Sequence, residues 1–168
     1  MSEEIAQDLT PLIITYKDGR VKRLTGTDFV SPSLDQKTGV QSTDLIINTE
    51  TCLSARLYMP NSTINTSQKL HLFIYFHGGG FVVQTPFAGI YHNYINSLVG
   101  QSNIVVVSLD YRLAPEDPIP AAYDDSWAGV KWVFSHSQGK GQSEWLNSKC
   151  RLFEGVLPLR QRRSKHRE

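Results

Sequence analysis

Cysteine is scarce in this chain: Cys52 and Cys150 are its two, too few for a disulfide framework or a cysteine-based zinc site. A reducing compartment is therefore expected. No run approaches the roughly 20 apolar residues that cross a bilayer. The opening Met-Ser-Glu-Glu has no basic start followed by an apolar stretch. These absences point to a soluble, non-secreted chain of the cytoplasm or the nucleus, in which the Asn-x-Ser/Thr sequons at Asn61 and Asn65 read as a polar loop. An excess of one charge is also missing. The 17 Lys and Arg against 16 Asp and Glu leave a net +1, which gives no broad electrostatic footprint for nucleic acid or membrane. The balance is uneven along the chain: residues 1–148 hold 10 basic against 14 acidic residues, and 149–168 hold 7 against 2.

What is present is a globular composition, 40% hydrophobic and 20% charged over 168 residues, enough for one ordinary domain. Two short apolar-rich runs flank Lys17-Asp18-Gly19 within residues 13–24, a hairpin signal because glycine can take positive φ. Residues 40–47 and 53–58 predict two further strands, and the Asn/Ser/Thr-rich stretch 61–68 predicts a loop. Residues 70–76 are almost wholly apolar and aromatic, the pattern of a strand buried on both faces, and residues 104–109 repeat it. The roughly 27 residues between the two runs leave room for a crossover helix within 92–99, which is βαβ grammar. A second helix over 121–136 would set Tyr123, Trp127, Val130 and Phe134 on one stripe. Asp124 and Asp125 would sit in its first turn, complementing the helix dipole.

Two motifs carry chemistry. His77-Gly78-Gly79-Gly80-Phe81 follows the first buried strand. Three glycines there remove every Cβ, so the backbone can take strained angles, approach a ligand closely and aim N–H groups into a cavity. Such donors can favour the oxyanion of an acyl-transfer intermediate; the plainer alternative is a turn that merely allows tight packing. The second motif, Asp110-Tyr111-Arg112-Leu113-Ala114-Pro115-Glu116, follows the second strand and places Asp110 and Arg112 close enough to join a structural ion-pair network.

The strings HGGGF, VVVSLDYRLAPE, PIPAAYDDSWAGVKWV and WLN resemble plant carboxylesterases of the hormone-sensitive-lipase group of α/β-hydrolases, and the resemblance runs from about residue 9 to 147. It implies the N-terminal portion of an α/β-hydrolase fold, a mostly parallel sheet with helices on both faces and a cap segment over the pocket, here truncated. It also implies hydrolysis of small carboxylic esters by a Ser-His-Asp triad, with no cofactor and no metal. By position, Gly78 and Gly79 match the oxyanion-hole glycines, Gly80 and Phe81 the substrate side of that turn, and His77 the histidine opening the motif, which is not the general base. The partner would be a small-molecule ester. Gibberellin receptors resemble the same group and would instead hold a hormone-like ligand, and a non-functional truncated product is a third reading.

The family's nucleophile motif, G-x-S-x-G, and the later acid and histidine are not among these residues. Gly141-Gln142-Ser143-Glu144-Trp145 offers an indole where the second glycine must pack closely, and His71, His92, His136 and His166 match no catalytic position. From Ser148 the resemblance stops and the sequence turns basic and aperiodic. Codons for the visible residues, read one base later from Cys150, permit A-D-F-S-R-V-F-F-L-C-D-S-A-G-A-N-I-A, close to what the family carries around its nucleophile. Residues 1–147 are therefore read as the N-terminal part of the hydrolase domain and 148–168 as an out-of-frame tail, in preference to a basic patch for nucleic acid at 160–167.

Overall fold

The computed structural model describes residues 4–137 and 144–151. The string Gly141-Gln142-Ser143 and the tail from residue 152 onward lie outside the described residues, and the junction expected at Ser148 falls inside a short helix.

The chain opens with a three-stranded antiparallel sheet, β1 (Ile5–Leu9), β2 (Ile13–Tyr16) and β3 (Val21–Arg23). The expected hairpin joins β2 to β3, with Gly19 at φ 87° and its N–H donating to Tyr16 O at 3.0 Å. The sequence pattern did not announce β1, because all five of its residues are exposed and no alternation of buried positions marks it. It is held by ladder bonds to β2 instead.

The main sheet contains β4 (Leu34–Asp35), β5 (Val40–Asn48), β6 (Leu53–Pro60), β7 (Leu70–Phe76), β8 (Val105–Asp110) and β9 (Cys150–Arg151), in the order β4-β5-β6-β8-β7-β9. Helix α1 (Gly89–Ser102) joins β7 to β8, and α2 (Ala121–Ser137) and α3 (Glu144–Lys149) precede β9. Connection length decides direction: the short β5–β6 link makes an antiparallel pair, while the α1 crossover makes β7 and β8 parallel. Among the described residues the β4–β5, β5–β6 and β6–β8 ladders are antiparallel, and the parallel part begins at β8 with β7 and β9.

Alternate residues of β6 and β8 feed two cores. Ala55, Leu57 and Met59 join Val105, Val107 and Leu109 beneath Val133 of α2 and Leu146 of α3. Tyr58 and Val106 face Ile95 and Val99 of α1 on the other side, so helices cover both faces as expected. Gly129 lets α2 settle onto the sheet, since a Cβ there would lie 2.4 Å from Leu109 Cδ1. Helix α1 ends at Asn103, left-handed at φ 51°, whose N–H returns to Val99 O. Its first N–H, on Gly89, donates to Asp28 Oδ2 at 2.6 Å, so a carboxylate from a distant loop meets the positive end of the helix. Arg56, completely buried, donates twice to Asp44 and once to Val30 O, with Phe87 under its guanidinium at 4.9 Å. Tyr58, Asn96 and Arg56 all converge on the ring of His92. Among the described residues no helix is long and apolar enough to cross a membrane.

Two expectations need correction. β8 is buried from Val105 to Leu109, but β7 is not covered on both faces: Phe73 is 49% and Phe76 41% exposed. The cause is position, since β7 has β8 along one edge while, among the described residues, β9 meets only Leu70 and His71 on the other. The stripe Tyr123, Trp127, Val130 and Phe134 exists, but it points outward. The buried face of α2 is Ala122, Asp125, Gly129, Val133 and His136, and Trp127 is 62% exposed. Trp127, Val130 and Phe134 line an open groove of about 360 Å³.

Contiguous apolar surface of this kind binds hydrophobic dyes. The chain is expected to enhance the fluorescence of an anilinonaphthalene sulfonate probe under native conditions, and Trp127→Gln with Phe134→Gln to remove much of that signal. A monomeric sample that melts cooperatively without binding the dye would contradict the exposed groove.

Candidate functional site

The strands β7 and β8 run parallel with Phe76 opposite Leu109, so both carboxyl ends open on the same side, where open α/β sheets hold their ligands. The segments that follow them, 77–88 and 111–120, build the candidate site. Its centre is the turn His77-Gly78-Gly79-Gly80-Phe81.

Each glycine is needed for a different reason. Gly79 sits at φ +119°, its carbonyl accepts the N–H groups of both Val82 and Val83 at 3.1 Å, and a Cβ on it would stand 2.0 Å from Val83 O. No side chain fits there. A Cβ at Gly78 would meet the Tyr91 hydroxyl at 3.0 Å, a group that can yield. Gly80 has open space around it and is required by its φ of +63°. Phe81 also lies in the left-handed region, at φ +64°, a strained conformation for a bulky residue, and its carbonyl accepts from Ala114 N at 2.8 Å. Among the described residues no hydrogen bond engages the N–H of Gly78 or Gly79.

His77 is 3% exposed. Its Nδ1–H donates to Gly78 O at 2.8 Å, which assigns the proton to Nδ1 and leaves Nε2, buried and unpartnered among the described residues, as an acceptor. Burial lowers its pKa, so the ring is neutral at pH 7. Tyr111 stacks on it at 4.2 Å and 4° between planes, and the Tyr111 hydroxyl donates to His77 O at 2.6 Å. Burial pushes that phenol up to about 12, so it keeps its proton and remains a donor. The ring of His77 thus braces the turn from within.

Beside the turn lies a cavity of about 350 Å³, walled by Phe76, Phe81, Tyr111 and Tyr123, with His77, Gly78, Gly80 and Ser126 completing the lining. The Ser126 hydroxyl is committed to Ala122 O at 2.6 Å. An apolar chamber lined by Gly78, whose N–H is unengaged among the described residues, can hold an acyl group and favour negative charge on its carbonyl oxygen. The expected residues His77, Gly78, Gly80 and Phe81 are therefore brought together around one space, with Gly79 behind them as the pivot of the turn. Tyr111, Tyr123 and Phe76 were missed. Their signal was weak, because a lone aromatic at a strand end or in a helix does not declare which cavity it will face.

In the second motif Arg112 joins an ion-pair network as expected, with Asp125 and Asp117, while Asp110 stands outside it. Arg112 does not pair with Asp110. It donates through Nε and Nη2 to the two oxygens of Asp125 at 2.9 Å, and its backbone N–H donates to the same carboxylate at 3.0 Å. Asp125 is thus a buried partner of Arg112, while Asp124 alone remains exposed in the first turn of α2. Asp110 accepts from Ser54 Oγ at 3.1 Å, and burial raises its pKa to about 6. It borders a second, more polar cavity of about 450 Å³ that also touches Arg23, Gln84 and Tyr111. Among the described residues no cluster of three or more His, Cys, Asp or Glu side chains is placed to hold a metal ion.

A family described as the α/β-hydrolase fold matches residues 73–153. The probable carboxylesterase 13 of Arabidopsis thaliana is 49% identical over 151 residues, covering 88% of this chain and 46% of its own. The amyloplastic tuliposide A-converting enzyme b1 of Tulipa gesneriana is 47% identical over 146 residues, covering 87% and 38%. Among solved structures, the hyperthermophilic esterase of Pyrobaculum calidifontis superposes with a TM-score of 0.50 at 32% identity over 67% of this chain and 33% of that one. The chain spans about half the length of the curated relatives it matches.

The glycine geometry predicts a graded series in urea unfolding. Gly79→Ala should cost about 3 kcal/mol or more, through backbone collision and strain, whereas Gly80→Ala should cost about 1 kcal/mol for its left-handed φ alone. Equal costs would show that the turn is not built on the Gly79 contact.

Asp110 sets a pH dependence. Its folded pKa, about 6, lies above the roughly 3.9 of an unfolded aspartate, so the folded state binds the proton more tightly. Its stabilising contribution is complete below about pH 4 and is lost as pH rises through 6, on the order of 3 kcal/mol in all. Asp110→Asn should be more stable than the unaltered chain at pH 7, with the advantage fading near pH 4. An advantage independent of pH would refute the assignment.

Proposed function

Because the chain belongs to the α/β-hydrolase family, in its plant carboxylesterase-like branch, we propose that the whole protein hydrolyses small carboxylic esters through an acyl-enzyme, with this chain supplying the oxyanion-binding turn. The observation that carries the proposal is the turn itself: among the described residues no hydrogen bond engages the N–H of Gly78 or Gly79, and Gly78 lines the apolar cavity with Gly79 directly behind it.

When a nucleophile attacks an ester carbonyl, its oxygen becomes negative, and donors already fixed in place stabilise that state over the ground state. One such donor is worth about 3–4 kcal/mol. Gly78 and Gly79 fill this role. Their aim is held by the two N–H bonds into Gly79 O and by His77, which locks Gly78 O. His77 is buried and its Nδ1–H is spent on the turn, so it braces the oxyanion site; its place in the motif matches the histidine that opens the family's glycine turn, not the general base. Gly80 and Phe81 form the substrate side of the turn, and the aromatic wall takes the acyl or alkyl part of a small-molecule ester. No cofactor or metal enters this scheme. The nucleophile is assigned to the D-S-A-G of the shifted reading frame, which the next parallel strand beyond β7 would deliver beside the same carbonyl. The acid and the histidine would follow it.

The 168-residue chain as written should therefore show no turnover above background on a short-chain aryl ester, since donors alone cannot form an acyl-enzyme. Correcting the frame by one base near Ser148, with the downstream coding sequence included, should confer saturable hydrolysis. Serine-to-alanine substitution in the recovered D-S-A-G should abolish it. A downstream frame without Asp and then His, or saturable hydrolysis by the uncorrected chain, would sink the proposal.

A further inference from the structure

We infer that Arg23, on the edge of the small N-terminal sheet, is a positioning residue for the oxyanion turn. Its guanidinium reaches three acceptors on two different loops. Nε donates to Val82 O at 2.8 Å, Nη2 donates to Ala114 O at 3.2 Å, and Nη1 and Nη2 clasp both oxygens of Glu116 at 2.6 and 2.7 Å. These partners lie 59 to 93 residues away along the chain.

The contacts close a ring around the turn. Val82, whose carbonyl Arg23 holds, donates its N–H to Gly79 O, and Ala114, whose carbonyl Arg23 also holds, donates its N–H to Phe81 O. The segment after β7 is thus tied to the segment after β8 through one side chain from a third element. Fixing the carbonyls of Phe81 and Val82 fixes the return of the chain onto Gly79, and with it the direction of the free donors. The clasp by Glu116 keeps the planar fork aligned with both carbonyls, and Arg23 in turn holds the Glu116 carboxyl below its ordinary range. An exposed Arg–Glu pair alone contributes little. Here the Arg23 side chain is only 21% exposed, and two of its acceptors are backbone carbonyls that no other donor among the described residues satisfies. A lysine ammonium holds its three donors on one nitrogen and cannot span Val82 O, Ala114 O and Glu116, which Arg23 reaches from three.

The consequence for catalysis rests on the ester-hydrolase reading above; the positioning itself is a statement about the turn. It is tested on the 168-residue chain by amide hydrogen exchange in three variants. Arg23→Gln should speed exchange across 77–84 and 112–117 by about tenfold or more, the loss of a hydrogen bond or two, while 53–60 and 105–110 keep their protection. Arg23→Lys should not rescue it. Glu116→Gln, which leaves the carbonyl bonds in place, should produce a smaller change in the same segments and serves as the arm that decides if Arg23→Gln fails to fold. In parallel, hexanoate is titrated while the Gly78 and Gly79 amide resonances are followed: a saturable shift in the unaltered chain should vanish in Arg23→Gln. Unchanged exchange at 77–84, full rescue by lysine, or equal loss of protection at 53–60 would overturn the role of Arg23. An unaltered chain that gives no hexanoate shift while Arg23→Gln still loosens 77–84 would preserve the positioning role and reject the ester-hydrolase reading instead.

Discussion

The approach of Gly79 to Val83 O is the contact on which the rest of the site depends. A hypothetical Cβ at 2.0 Å means that the chain can reverse there only because position 79 has no side chain. That reversal brings Val82 and Val83 back to share the Gly79 carbonyl, and among the described residues it leaves the N–H groups of Gly78 and Gly79 without a hydrogen bond. His77 below, Tyr111 stacked against it and Phe81 beyond are arranged around this reversal. The cost in backbone strain at Phe81, the residue of the turn that carries a side chain at positive φ, is offset by the aromatic packing and the hydrogen bonds that converge on the turn. Strain held in this way is common where a backbone must present its polar groups to a ligand.

Two arginines extend the same logic outward. Arg56, fully buried beneath α1, fastens the loop before β4 by its bond to Val30 O while Asp44 neutralises its charge. Arg23 fastens the small sheet to the two loops that frame the cavity. The N-terminal segment is therefore a structural part of the site, attached through desolvated guanidinium groups whose planar geometry serves several acceptors at once. Removing either arginine leaves the carbonyls it holds without that donor, Val30 O for Arg56 and Val82 O and Ala114 O for Arg23, which is why these ties are costly to break.

The exposed surface has an equally physical reading. β7 carries Phe73 and Phe76 near a mostly unpaired edge, and α2 presents Trp127 and Phe134 outward. Phe73, Phe76 and Trp127 have the composition of core residues and are nonetheless exposed. The reading of residues 70–76 as buried on both faces described the composition of the strand correctly and its surroundings incorrectly. Hydropathy reports what a strand can bury, and the neighbouring strands decide what it does bury. The same holds for α2, where a small and polar set, Ala122, Asp125, Gly129, Val133 and His136, packs inward. Gly129 is needed for close approach to Leu109 and Asp125 for the Arg112 side chain, so the larger aromatics fall on the opposite side.

The sequence by itself determined the strand–helix–strand order, the hairpin at Asp18-Gly19, the strands at 40–47, 53–58, 70–76 and 104–109, and a glycine turn directly after the first of the two apolar strands. These are local properties: periodicity, glycine's freedom at positive φ, and the length of each connection act over a few residues and are legible in order. It also carried the family strings, from His77-Gly78-Gly79-Gly80-Phe81 to the helix at 121–136. Tertiary structure alone decided that Arg112 pairs with Asp125 instead of Asp110, that Arg23 meets Val82 and Glu116, that Tyr111 lies flat on His77, and that β1 exists at all. Each of these depends on atoms separated by many residues or on a ladder partner, and a side chain's charge or ring states what it can bind without stating what the fold will place within 3 Å of it.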